Sequence, residues 1–157
     1  MRVVLLCVGK LKEAYWKSAC AEYLKRLSRY GQFEIVEVPD APEPLHTSEA
    51  LEEQVRALEG ERLLAKVRTD DHVIALAIDG KGYTSESFAA HVERVSQNGR
   101  LVFVIGGSLG LSDAVYARAQ ERISFSSLTF PHQMMRVIFL EQLYRACRIM
   151  SNQPYHK

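Results

Sequence analysis

The sequence of 157 residues has few cysteines, no long apolar run and almost no net charge. Its cysteines, Cys7, Cys20 and Cys147, are odd in number and widely spaced, which argues against a disulfide framework and favours reduced thiols in the cytoplasm. The longest apolar runs fall far short of the roughly 20 residues that a membrane-spanning helix needs. The first apolar run continues into GKLK instead of a cleavage site, so we interpret it as a strand and not as a signal peptide.

Metal-ligand and phosphate-loop patterns are also missing. No pair of cysteines has metal-ligand spacing, and the five histidines are scattered, so no metal is predicted. The stretch LVFVIGGSLGLS, residues 101–112, follows a strand with a glycine turn, but Ser112 and Asp113 stand where a phosphate loop requires Lys and then Ser or Thr. Ile105 likewise replaces the first glycine of a dinucleotide fingerprint. We therefore expect a ligand that is not held by a phosphate.

Apolar periodicity divides the chain into alternating strands and helices within one domain, residues 1–157. We predict strands over 2–8, 33–38, 72–78, 101–105 and 122–125, and helices over 13–29, 48–67, 85–97, 112–119 and 131–150. This alternation predicts an α/β fold with a mostly parallel sheet and helices on both faces.

Charge is distributed unevenly along the chain. Residues 1–30 carry seven basic and two acidic side chains, whereas residues 31–62 carry two basic and nine acidic ones. A basic first segment is typical of a surface that meets a phosphate backbone, although solvated helix faces whose signs happen to cluster explain the counts equally well.

The last predicted helix is apolar almost all round between residues 134 and 149. Such a helix needs cover on two sides, which favours a homodimer. The alternative is that loops or a flanking helix provide the second cover. Just before it, SFSSLTFPHQMMRV (124–137) interleaves hydroxyls with apolar side chains, which suits a flat heterocycle; a strand end with a helix cap would explain only Pro131 and Thr129.

Four segments, ALAIDGKGYTS, FVIGGSLGLS, SFSSLTFPHQMMRV and NQPYHK, closely resemble the ribosomal RNA large subunit methyltransferase H family, which are small stand-alone SPOUT methyltransferases. The resemblance implies S-adenosylmethionine as cofactor and a SPOUT fold with a C-terminal deep trefoil knot, a rare exception to unknotted chains. It also implies methylation of N3 of a pseudouridine in 23S ribosomal RNA, on the ribosome. Leu76 is followed here by Ala77, where the family often has an acidic residue, so any role of that acid is absent or falls to Asp79.

The resemblance places the cofactor against the glycine turn and the segment before the last helix. The implied cofactor-binding residues are Leu76, Gly106, Gly107, Phe125, Ser126, Ser127, Leu128, Thr129 and Phe130. Glycine is expected at the turn because a side chain there would fill the space of the ligand. Main-chain groups of residues 125–130 would bind the polar edge of adenine.

Candidate catalytic residues are His132 and His156 as bases and Arg136 as the partner of an anionic ring. The alternative for His132 is a histidine bonded to backbone at the helix start, and for the tail it is a frayed terminus. We also expect the tail to complete the active site, next to the cofactor pocket of a second subunit.

Candidate RNA contacts are Trp16, Lys17, Lys25, Arg26 and Tyr155, which combine cations with stacking side chains. Two rival functions stay open at this point. One is a non-catalytic module that binds S-adenosylmethionine or a nucleotide, and the other is a flavodoxin-like binder of a phosphorylated small molecule.

Overall fold

A five-stranded, all-parallel sheet forms the centre of the computed structural model, which describes residues 1–155. The strands are β1 (Arg2–Val8), β2 (Gln32–Val38), β3 (His72–Gly82), β4 (Leu101–Ile105) and β5 (Glu121–Ser124), in the order β2-β1-β4-β3-β5. The strands β1 and β4 are buried over nearly their whole length, as expected for parallel strands that are covered on both faces.

Five helices cover the two faces of this sheet: α1 (Ala14–Leu27), α2 (Glu49–Leu64), α3 (Ser85–Ser96), α4 (Asp113–Arg118) and α5 (His132–Met150). Helices α1, α3 and α5 share one apolar core with alternate strand residues such as Leu5 and Phe103. Helices α2 and α4 share the other core with Leu6 and Val104. The alternation of side chains along each strand therefore produces two separate cores, one on each face.

The predicted α/β architecture is confirmed, and each predicted element is present. The largest difference in boundaries is β3, which extends to Gly82 because its pairing with β5 shifts register between Leu76 and Lys81. Gly80 allows this bulge, since a Cβ there would lie 2.7 Å from the backbone nitrogen of Ile123. The trefoil knot stays a prediction from the resemblance.

Helix α5 is covered by its own chain on more than one side. It packs against α1 and α3, and Phe139, Leu140 and Leu143 reach the core beneath them. Residues such as Met134 and Ile138 on its outer side are half-buried. The flanking helices therefore supply part of the second cover that the sequence led us to expect from another subunit.

Candidate functional site

A cavity of about 900 Å³ lies at the carboxyl ends of β3, β4 and β5, the edge of a parallel sheet at which ligands usually bind. Its walls come from the bulge of β3, the glycine turn after β4, the segment between β5 and α5, and the first turn of α5. The volume falls at the upper end of the range of about 300–1,000 Å³ that is typical of small-molecule sites. The sheet order thus brings together segments that are far apart in the sequence.

Eight of the nine residues predicted to bind the cofactor line this cavity: Leu76, Gly106, Gly107, Phe125, Ser126, Leu128, Thr129 and Phe130. Ser127 does not line it. The Ser126 hydroxyl accepts a hydrogen bond from the Leu128 backbone N–H at 2.9 Å, and this tight turn leaves Ser127 exposed to solvent. The assignment of Ser127 stays a prediction from the resemblance, since the structure shows this residue only as exposed and outside the cavity lining.

Close packing inside the protein is a further reason for the glycine turn, beside the one expected from the sequence. A Cβ on Gly106 would lie 2.7 Å from the Gly110 carbonyl carbon, and a Cβ on Gly107 would lie 3.1 Å from a carboxylate oxygen of Glu59. The turn is closed by a hydrogen bond of 3.1 Å from the Gly110 N–H to the Gly107 carbonyl. Glycine at 106 and 107 therefore permits close packing within the protein. That a larger side chain there would also enter the ligand space stays a prediction.

The rim of the cavity is apolar and carries one carboxylate. Ile78 and Leu128 line it with 55% and 70% of their surface exposed, which is unusual for large aliphatic side chains. Asp79 also lines it and pairs with Arg122 at 3.1 Å. Among the described residues that line the cavity, none is Lys or Arg. Such a site suits an apolar, flat or cationic ligand better than a phosphorylated one.

His132, the first residue of α5, lies where the large cavity meets a smaller one. Burial lowers the pKa of the His132 imidazole, and the positive charge of Arg136 lowers it further; Asp40 opposes this shift, and Lys12 adds a still smaller lowering. The ring is therefore neutral at physiological pH and can accept a proton or a hydrogen bond.

Arg136 is completely buried, and its guanidinium is already engaged. It donates to Glu37 at 2.7 Å and to the carbonyls of Val8 and Gly9 at 2.9 Å each. It lines neither cavity. The assignment of Arg136 as the partner of an anionic ring is corrected, because the side chain instead ties the first turns of α5 to the end of β1.

The predicted RNA contacts in α1 fall into two groups at opposite ends of the helix. Trp16 and Lys17 lie in its first turn, at the edge of the sheet that carries the cavities, whereas Lys25 and Arg26 lie about 15 Å farther along. Arg26 also pairs with Glu22 at 2.9 Å. The four residues do not form one patch, and only the first group lies near the cavities.

The tail packs on its own chain as far as Tyr155. The Tyr155 hydroxyl donates to Glu141 at 3.2 Å, and its ring packs edge-on against Tyr144 at a centroid distance of 5.0 Å. These contacts lie more than two turns of α5 away from His132, so the structure does not bring Tyr155 to the cavity of the same chain. The candidate base His156 lies outside the described residues.

Sequence reasoning missed part of this site. The bulge residues Ala77 and Ile78, the far side of the glycine turn and Tyr116 also line the large cavity. Glu59 of α2 lines the smaller cavity and is only 4% exposed. Its neighbour Gly60 is the signal that could have found it, because glycine inside a helix often marks close packing.

Two negative findings hold for residues 1–155. No helix there is long and apolar enough to cross a membrane. No group of three or more His, Cys, Asp or Glu side chains there is arranged to hold a metal ion.

The chain is thus an α/β protein whose small-molecule cavity lies at the carboxyl edge of an all-parallel sheet and has no phosphate loop. Residues 1–156 match a family model described as "Predicted SPOUT methyltransferase". The chain belongs to this SPOUT methyltransferase family, and the family implies a methyl donor.

Several curated relatives match the chain over its whole length. Proteins called "Ribosomal RNA large subunit methyltransferase H" are 55% identical in Listeria monocytogenes serotype 4b (strain CLIP80459), 54% in Exiguobacterium sp. (strain ATCC BAA-1283 / AT1b) and 52% in Shouchella clausii, each covering 100% of both chains. A solved structure of a probable methylase family protein from Haemophilus influenzae Rd KW20 is similar in fold. Its TM-score is 0.53 at 16% identity, covering 99% of this chain and 70% of that one.

Proposed function

We propose that this protein transfers a methyl group from S-adenosylmethionine to N3 of a pseudouridine in 23S ribosomal RNA, on the ribosome. The observation that carries the proposal is the large cavity at the ends of β3, β4 and β5, formed by the segments that resemble the family's cofactor site. Among the described lining residues, the aliphatic rim, the single carboxylate and the lack of Lys or Arg fit a cationic sulfonium compound with a flat adenine ring. Relatives of the same length that are named as ribosomal RNA methyltransferases support the choice of substrate.

Each wall of the cavity would have a separate task. Leu76, Leu128 and Phe130 would provide apolar surfaces for the adenine ring, and the backbone groups of residues 125–130 would bind its polar edge. When bound, S-adenosylmethionine supplies a methyl carbon that is already activated by a positive sulfur. The protein therefore has mainly to orient the acceptor, exclude water and remove the proton from N3.

The same cavity argues against one of the two rival functions. A flavodoxin-like binder of a phosphorylated ligand needs cations or a phosphate-binding loop, and the cavity lining offers neither among its described residues. A non-catalytic module would retain the cofactor but would not modify RNA. Isothermal titration calorimetry with S-adenosylmethionine, and with flavin mononucleotide as the comparison, distinguishes the proposed function from the flavodoxin-like alternative.

Methyl transfer is tested with ribosomes from a strain that lacks this activity and with radiolabelled S-adenosylmethionine. We expect label in the large-subunit RNA at one pseudouridine, mapped by mass spectrometry of nuclease digests. Tight cofactor binding without any incorporation into ribosomes, subunits or free RNA would establish the non-catalytic module.

We also propose a homodimer formed through the outer side of α5. Half-buried apolar side chains there, Met134 and Ile138 among them, support this interface, although α1 and α3 cover the flanks. Tyr155 would then act on RNA at the site of the second subunit, together with His156. Analytical ultracentrifugation should give twice the mass of the 17.8 kDa chain, and a Met134→Glu, Ile138→Glu variant should give the monomer.

A further inference from the structure

A second, smaller cavity of about 200 Å³ adjoins the large one across the Gly107–Ser108 segment. Gly107, Ser108 and His132 line both cavities, so ligands bound in the two cavities would share these three residues. The small cavity is more polar, since Lys10 and Glu59 contribute to its walls. Its volume equals that of roughly seven liquid water molecules, which is enough for a single flat ring but not for a cofactor with several parts.

Glu59 is the most buried charged side chain of this cavity, with 4% of its surface exposed. Within residues 1–155 it receives one hydrogen bond, at 3.3 Å from the Ala41 backbone N–H to Oε2. Oε1 has no hydrogen-bond partner there. The missing side chain of Gly107 lets the carboxylate approach the glycine turn, because a Cβ on Gly107 would lie 3.2 Å from Oε1. A buried carboxylate with a free oxygen thus lies beside the segment that separates the cavities.

The walls of the small cavity are fixed before any ligand binds. The Lys12 backbone N–H donates to the Gln133 side chain at 3.1 Å, which joins the segment after β1 to the first turn of α5. The Leu11 backbone N–H donates to Glu37 at 2.9 Å, the same carboxylate that binds Arg136. Polar groups held in this way can orient a ligand without first being ordered.

We propose that the small cavity holds the pyrimidine ring that receives the methyl group, and that the carboxylate of Glu59 accepts the ring N–H proton. This inference rests on the proposed function. In the step, the bond from sulfur to the methyl carbon breaks and its electron pair stays on sulfur. The bond from the methyl carbon to the ring nitrogen forms, and the proton of that nitrogen passes to Glu59. Lys10 and Lys12, both exposed at the cavity, would contact the adjoining phosphates.

Burial makes the Glu59 carboxyl a better proton acceptor than a surface carboxylate, because it raises the pKa of this group. Burial raises the pKa of Glu59; the Ala41 hydrogen bond and the Arg62 charge lower it, and the Asp40 and Glu43 charges raise it. The other titratable groups that face the cavity are Lys10, Lys12 and His132. The pKa values of His132 and Glu59 thus move toward each other, and a base is most effective when its pKa lies near the working pH.

Glu59→Gln tests this role, because the amide can still accept the hydrogen bond from Ala41 but cannot take up a proton. At neutral pH, with saturating S-adenosylmethionine, we expect methyl transfer to ribosomes to fall by roughly 10²–10³-fold, the range for loss of a general base. The rate should recover as pH rises, because hydroxide then removes the ring proton. Glu61→Gln, an exposed residue of the same helix with the same loss of charge, should keep the parent rate and pH profile.

A binding measurement gives a second readout that does not depend on turnover. Pseudouridine 5′-monophosphate is titrated in the presence of S-adenosylhomocysteine and followed by NMR of the backbone amides. Signals of Gly9 and Ser108 should shift on binding. Affinity for the parent should weaken as pH falls through the pKa of Glu59, whereas affinity for Glu59→Gln should not depend on pH in that range.

The outcomes separate the two proposals. A parent protein that binds the nucleotide in this pH-dependent way but never methylates RNA contradicts the proposed function. The role of Glu59 is overturned if Glu59→Gln methylates RNA at the parent rate with the parent pH profile. It is also overturned if the dependence of the rate on pH is lost in His132→Gln but not in Glu59→Gln. If Glu59→Gln does not fold, Glu59→Asp replaces it, because it keeps a carboxylate. This variant should methylate RNA at a reduced rate that still falls as pH is lowered. A rate of Glu59→Asp that does not depend on pH also refutes the inference.

Discussion

Replacing Gly106 by alanine should damage the cofactor site by opening the glycine turn and not by filling the cavity. The new Cβ would lie 2.7 Å and 2.8 Å from the carbonyl carbon and oxygen of Gly110. Non-bonded carbon contacts are comfortable at about 3.5–4.0 Å, so the two segments must separate by about 1 Å. Neither contact involves a flexible side chain, and the backbone itself has to move.

Overpacking of this kind costs about 1–3 kcal/mol in the free energy of unfolding. For a domain of this size, 1 kcal/mol corresponds to roughly 2–4 °C, so Tm should fall by about 2–12 °C. Displacement of the turn by about 1 Å should weaken S-adenosylmethionine binding by roughly 10–100-fold, as misplacement of this size often does in active sites. Thermal unfolding followed by circular dichroism, together with titration calorimetry, measures both effects.

Gly82→Ala is the matched control, because a Cβ there would meet no atom within 4 Å and Gly82 does not line the large cavity. Its stability should stay within about 0.5 kcal/mol of the parent, and its affinity should be unchanged. If Gly106→Ala lost binding at an unchanged Tm, the methyl group would face the ligand and our account of the turn would be refuted. Parent values for both quantities would show that the turn is not closely packed.

Three further variants test other parts of the site. Leu128→Ser should weaken S-adenosylmethionine binding by about tenfold or more with little change in Tm, since Leu128 is 70% exposed and its apolar contact is made with the ligand. The control is Leu45→Ser, at a residue that is 99% exposed and outside the cavity. It should change neither the affinity measured by calorimetry nor Tm. Replacing Lys10 and Lys12 by Glu should reduce ribosome binding. The slope of log binding constant against log salt concentration should become less steep by about 0.7–0.9 per lost phosphate contact. An unchanged slope in filter binding would exclude these contacts. Arg136→Met should lower the free energy of unfolding by about 2–4 kcal/mol, because two buried carbonyls lose their donor; urea unfolding that matches the parent would contradict this.

Much of the fold could be predicted because its elements are periodic and their ends carry local signals. The run of residues 101–105 matched β4 at both ends, since an apolar strand that stops at two glycines has only one natural boundary. Ser48 and Thr84 both cap their helices with side-chain hydrogen bonds, as such residues before a helix usually do. The end of β3 could not be predicted, because the bulge depends on the close approach of Gly80 to β5, which no local pattern encodes.

The candidate site was predictable only where its residues follow one another in the sequence. The segment of residues 125–130 lines the cavity almost throughout, and only Ser127 departs from it, because of a local turn. Glu59 lies in a helix rich in acidic residues, so in the sequence it is indistinguishable from the solvated carboxylates around it. Its burial results from packing of α2 against the glycine turn, which depends on the order of strands in the sheet.

Arg136 and His132 show how one element serves both cavities. They are four residues apart, so they lie on the same side of the first turns of α5. Arg136 fixes this side to β1 through the Val8 and Gly9 carbonyls, and His132 projects to the junction of the cavities. A change at Arg136 should therefore disturb the sites of both ligands together, whereas a change at Leu128 reaches only the large cavity. Loss of S-adenosylmethionine binding without loss of nucleotide binding in Arg136→Met would show that the two walls move independently.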